Sequence, residues 1–87
     1  MRRIDILNKA SEIVMGQREQ DYGSPEDNFG LIARLWNDYM GDILFSPKDV
    51  VMCMILLKVA RGRGDKPTDD TFIDIAGYAA CAGEVSK

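Results

Sequence analysis

From Val50 to Leu57 the chain reads Val-Val-Met-Cys-Met-Ile-Leu-Leu, without one polar side chain. The run lies between Ser46-Pro47, which reads as a helix start, and Gly62, which reads as a stop. A helix resting on a protein surface carries a polar stripe, and this run has none. The pattern therefore predicts a helix buried nearly all round, interrupted only by Lys58 and Arg61 in its last turn. Whatever else the chain forms must wrap this rod.

The wrapping material is limited. A chain of 87 residues forms one domain, taken as residues 1–87, and buries only about 60–65% of the surface its unfolded form exposes. Yet 46% of its residues are hydrophobic, more than one thin bundle hides, so a homo-oligomer is expected. The formal net charge of −3 makes nucleic acid an unexpected partner, and the absence of histidine removes the commonest general base and metal ligand. Cys53 and Cys81 fall inside predicted helices without CxxC spacing, which favours buried thiols over a disulfide or a zinc site. Met1-Arg2-Arg3 is followed too soon by Asp5, Asn8 and Lys9 for a signal peptide. No apolar run approaches the roughly 20 residues of a membrane span. A cytoplasmic protein without membrane contact is expected.

Ile4, Leu7, Ala10 and Val14 recur at three or four residues, predicting an amphipathic first helix from Arg3 to about Gln20. Ser24-Pro25-Glu26-Asp27 then supplies an N-cap, a proline at the first helical position and an acidic third residue, so a second helix starts at Pro25. Phe29, Ile32, Ala33, Trp36, Tyr39 and Met40 form its inward face, and Gly41 ends it. The same cap chemistry returns at Ser46-Pro47-Lys48-Asp49 for the central helix. After the polar connection Gly62–Pro67, Thr68 is the expected N-cap of a fourth helix. Its predicted inner face is Phe72, Ile75, Ala76, Ala79, Ala82 and Gly83, with Asp70, Asp74 and Tyr78 on the opposite edge. No period-two alternation predicts a strand. The expected fold is all-α, a compact antiparallel four-helix bundle that oligomerises.

Three groups of residues suit chemistry. Asp70 and Asp74 stand one turn apart and can share a Mg²⁺ ion, with Glu26 completing the metal shell. As a plain structural alternative, Asp70 complements the helix dipole and Asp74 pairs with Lys58 or Arg61. Lys58 and Arg61 can pair with phosphate oxygens, or can compensate the dipole at a helix end. Between Asp21 and Phe29, Tyr22 can stack on a base and Asn28 can read an amide or hydroxyl pattern, while capping accounts for Ser24 and Asp27.

These residues resemble a family. Tyr22-Gly23, Asn28-Phe29-x-x-Ile32-Ala33-x-x-Trp36, Met54-x-x-Leu57-Lys58-x-x-Arg61 and Asp70-x-x-x-Asp74-Ile-Ala-Gly-Tyr78 look like a small phage- or prophage-type relative of the MazG-like all-α nucleoside triphosphate pyrophosphatases. The closest flavour is the nucleotide modification associated domain 1 type. The resemblance covers residues 20–82 and implies an oligomeric helical bundle binding a nucleotide, with Mg²⁺ on carboxylates. Water would then attack within the triphosphate and release pyrophosphate. It implies Asp70 and Asp74 as catalytic and metal-binding residues, Glu26 as a further metal ligand, and Tyr22, Asn28, Trp36, Lys58, Arg61 and Tyr78 as substrate-binding residues. The chain departs from the superfamily pattern, which has a Glu-x-x-Glu pair and a Glu-x-x-Asp pair on two helices.

Two other readings stand beside the hydrolase. A bundle that keeps the cleft without the full metal shell would bind or sequester a nucleotide-derived signal in the host cytoplasm. A helical oligomerisation or adaptor protein would use its Met-rich faces on another protein.

Overall fold

The structure, a computed structural model, describes residues 1–64 and 67–86, so Asp65 and Lys66 of the Gly62–Pro67 connection lie outside it. All regular structure among the described residues is helical. The elements are α1 (Arg3–Glu12), a π-helical turn (Ile13–Gln17), α2 (Arg18–Tyr22), α3 (Pro25–Met40), α4 (Pro47–Arg61) and α5 (Asp69–Val85). The first three follow one another without a break, so the described residues make four rods. No helix among the described residues is long and apolar enough to cross a membrane.

Local chemistry sets most helix ends. The Ser24 hydroxyl accepts from the Asp27 amide at 3.2 Å. Ser46 and Asp49 form a reciprocal box, the Ser46 hydroxyl accepting from the Asp49 amide at 3.2 Å and the Asp49 carboxylate from the Ser46 amide at 3.0 Å. The Ser46 amide first, and the Ser46 side chain beside the carboxylate next, hold the Asp49 carboxyl below its ordinary range. Gly41 ends α3 at φ 73°, a left-handed conformation that glycine adopts without strain. Thr68 occupies the expected cap position of α5, but its side chain makes no cap hydrogen bond.

Between α3 and α4 the chain is latched by one side chain. The Asn37 carbonyl oxygen accepts from the amides of Leu44 at 2.9 Å and Phe45 at 2.8 Å, while its amide donates to the Phe45 carbonyl at 3.0 Å. Asn37 thereby supplies to the loop what a strand partner would supply.

α4 packs most extensively on α5; α5 also packs on α1, and α4 on α3. The core is Phe29, Ala33, Val50, Val51, Cys81 and Ala82, with Val14, Ile32, Trp36, Phe45, Tyr78 and Val85 packed around it. Three expectations need correction. Tyr39 and Met40, expected on the inward face of α3, are exposed in its last turn. α4 is not buried all round: Val50 and Val51 are fully enclosed, whereas Met52, Leu56 and Val59 face solvent, because neighbouring helices cover only one side of it. α5 is turned from the predicted register. Its enclosed residues are Ile73, Gly77, Cys81 and Ala82, of which only Ala82 belongs to the predicted face; Phe72 lies outside, and the Asp74 and Tyr78 edge is half-buried. With apolar residues on most sides of α5, periodicity alone could not choose its inner face.

Candidate functional site

The π turn determines what the first rod presents to α5. The Arg18 amide donates to the Ile13 carbonyl, five residues back. An α-helix would use the fourth, so each later side chain is set back by about one residue's rotation, ~100°. Opposite the turn stands Gly77, where an added Cβ would lie 3.1 Å from Val14 Cγ1. The missing side chain lets Val14 reach the core, and beside this contact the rod and α5 separate into a cleft of about 220 Å³.

The cleft floor is apolar, formed by Ala10, Ile13, Val14, Ile73 and Gly77, and its polar groups are Gln17, Arg18, Asp21, Tyr22, Asp74 and Tyr78. Each is positioned by a neighbour. The Arg18 guanidinium carbon sits 4.6 Å from the Phe29 ring centre and 5.3 Å from that of Tyr22, within cation–π range of both. Tyr78 meets Phe29 edge to face at 6.4 Å, so Arg18 and Tyr78 both contact the Phe29 ring. Gln17 donates to both Asp21 carboxylate oxygens at 3.0 and 2.9 Å. Lys58 Nζ lies 3.0 Å from Asp74 Oδ2. Among the described residues, Arg18 has no carboxylate within ion-pair distance. Burial pushes the Cys81 thiol above its ordinary value, opposed by the nearby Arg18 charge.

The family described as domain of unknown function DUF6378 matches residues 5–86, nearly the whole chain. The chain belongs to the DUF6378 family. Among its relatives are the Gene 55 protein of Mycobacterium phage L5, 49% identical over 76 residues, which are 87% of this chain and 49% of that protein. The Gene 55 protein of Mycobacterium phage D29 is 40% identical over 80 residues, 92% of this chain and 52% of that protein. The DUF6378 chain thus spans about half the length of the curated relatives it matches. No solved structure matches it.

This family replaces the MazG-like assignment, because DUF6378 covers every segment on which that resemblance rested and the relatives found are phage Gene 55 proteins. The structure shows why the resemblance misled. Phe29 and Ala33 are core, and Ile32 and Trp36 pack on the core. Such residues recur wherever amphipathic helices meet.

The residues singled out from sequence divide into two groups. Tyr22, Asp74 and Tyr78 line the cleft of the DUF6378 chain, and Lys58 reaches its edge through Asp74. The others do not line it. Trp36 is spent on an edge-to-face contact with Phe45, ring centres 5.3 Å apart. Asn28 is half-buried in the first turn of α3, Arg61 is exposed at the end of α4, and Asp70 and Glu26 are exposed in first turns. Among the described residues no three His, Cys, Asp or Glu side chains gather to hold a metal ion, so Glu26 does not complete a three-carboxylate shell with Asp70 and Asp74 within one chain.

Sequence reasoning missed Arg18 and Gln17, which fall inside the predicted first helix without a role. The signal lay in two i, i+4 pairs, Gln17 with Asp21 and Arg18 with Tyr22.

Proposed function

We propose that this DUF6378 chain binds a small anionic molecule carrying a planar ring, of the nucleotide or nucleotide-derived class, in the cleft between the first rod and α5. The four rods are taken as an antiparallel bundle. The observation that supports the reading is Arg18: a half-buried residue at the cleft, its guanidinium carbon 4.6 Å from the Phe29 ring centre and unpaired by any described carboxylate. Such a group gains from an anion, because charge-assisted bonds are worth about 1.5–3 kcal/mol. Tyr22 and Tyr78 offer ring faces, and Asp21 and Asp74 accept from hydroxyl or amino groups of the ligand. A cleft of about 220 Å³ is below the roughly 300–1,000 Å³ of drug-sized sites, so it suits one ring, with the phosphate and sugar toward its open mouth.

Binding has more support here than hydrolysis. No group of three metal-ligating side chains gathers among the described residues, and Asp74 is engaged by Lys58. A protein of this kind acts stoichiometrically, sequestering its ligand.

Calorimetry against a panel of nucleosides, mono- and triphosphates, with and without Mg²⁺, tests the reading. One member should bind at one per chain and be recovered intact. Arg18→Gln should weaken that binding about tenfold or more with helicity unchanged. Absence of binding across the panel by folded protein overturns the proposal, and release of pyrophosphate would replace sequestration by hydrolysis.

A further inference from the structure

The outer face of α4 departs from the other outward faces. Met52, Leu56 and Val59, 46%, 64% and 48% exposed, follow one another at i, i+4 and i+7 with Ala60 beside them. No charged side chain interrupts the strip between Asp49 and Lys58. The outer face of α3, by comparison, mixes Leu31 and Leu35 with Arg34 and Asp38. An uninterrupted apolar strip in water marks a contact surface.

The total surface agrees. The chain exposes 6242 Å², whereas a folded monomer of its 9.7 kDa exposes about 5,100 Å². The excess of about 1,100 Å² exceeds the roughly 800 Å² that each partner gives to a standard interface. The radius of gyration, 13.7 Å, is also above the roughly 12 Å of an average domain of this length.

We infer that α4 is the seam of a homodimer, in which the outer faces of two copies pack antiparallel across a two-fold axis at Leu56. A strip without charge cannot select a partner by charge, but it is complementary to itself, as a two-fold interface requires. The antiparallel sense follows from the ends of the helix. The antiparallel arrangement opposes the helix dipoles favourably, and at each end the Lys48–Asp49 pair of one copy, 4.0 Å apart, comes beside Arg61 and Arg63 of the other, so side-chain charge adds little there. With Leu56 at the centre, Met52 faces Ala60 of the second copy, a long side chain against a short one. That permits the close axial approach of packed helices. The cleft lies on the side of α5 shared with the first rod, so dimerisation and ligand binding are separately testable.

Sedimentation equilibrium of the chain should give twice 9.7 kDa. Leu56→Glu should yield monomers, weakening association at least about thirtyfold, as loss of a central interface residue does. Its helicity should be unchanged, because Leu56 lies outside each copy's own core. Met52→Lys should act alike, and Leu35→Glu on α3 should leave the dimer intact. A mass of 9.7 kDa at every concentration, or a dimer that survives Leu56→Glu and dissociates with Leu35→Glu, overturns the inference.

Discussion

Lys58 Nζ and Asp74 Oδ2 stand 3.0 Å apart across the α4–α5 contact, with 20% and 37% of the two side chains exposed. The pair ties the most extensive helix contact to one wall of the cleft. A partly solvated pair of this kind contributes little, and a double-mutant cycle with Lys58→Ala and Asp74→Ala should give a coupling of about 0.5–1 kcal/mol. A coupling of zero in urea titrations would show that the two charges act independently.

Asn37 should matter more than its polar identity suggests. Asn37→Ala deletes three hydrogen bonds and leaves the Leu44 and Phe45 amides without their acceptor, a loss of about 1–3 kcal/mol. Asn37→Asp keeps the acceptor and removes only the donor, so its stability should fall between wild type and Asn37→Ala. The two variants reversed in order on chemical denaturation would refute the latch.

Gly77→Ala sets two effects against each other. Replacing glycine within a helix favours folding by about 1 kcal/mol, but the new Cβ would stand 3.1 Å from Val14 Cγ1. A valine in a helix has one strongly preferred rotamer and cannot turn aside cheaply. Net destabilisation is expected, with partial recovery in Gly77→Ala/Val14→Ala. Thermal melts of the wild type, Gly77→Ala, Val14→Ala and the double variant decide, and a more stable Gly77→Ala would mean that Val14 yields.

Asp49 should couple stability to acid. Its carboxyl is held below the ordinary range by the Ser46 amide and side chain, so the unfolded chain takes up protons first as pH falls. The contribution is fully present above the unfolded value of about 3.9 and is lost as pH drops through the lowered folded value. Asp49→Asn should flatten the stability profile below about pH 4, measured by urea unfolding across that range. An unchanged slope would place the acid sensitivity elsewhere.

What could be read from sequence was mostly local. Ser24-Pro25 and Ser46-Pro47 announced helix starts because a cap needs only nearby atoms. The register of α5 depends on which neighbours cover it, and that is a property of the whole fold. The α4 run was expected to be enclosed, but apolar composition states a need for burial and does not say which surface meets it. At the cleft, Tyr22, Asp74 and Tyr78 were legible from chemistry and spacing. Arg18 was not, because its position depends on a π turn over Ile-Val-Met-Gly-Gln, a segment with no proline to announce the irregularity.

That turn makes the mouth of the cleft sensitive to chain length in a way that substitutions are not. Because it absorbs one extra residue, removing the exposed Met15 would let the first rod run as one regular helix with Arg18 and Tyr22 still beside Phe29. Adding one residue between Gln17 and Arg18 would instead swing both side chains by about 100° while leaving the α3 and α4 contacts standing. The insertion is therefore expected to keep native-like far-UV circular dichroism and to abolish the ligand binding proposed for the cleft, and the deletion to retain both.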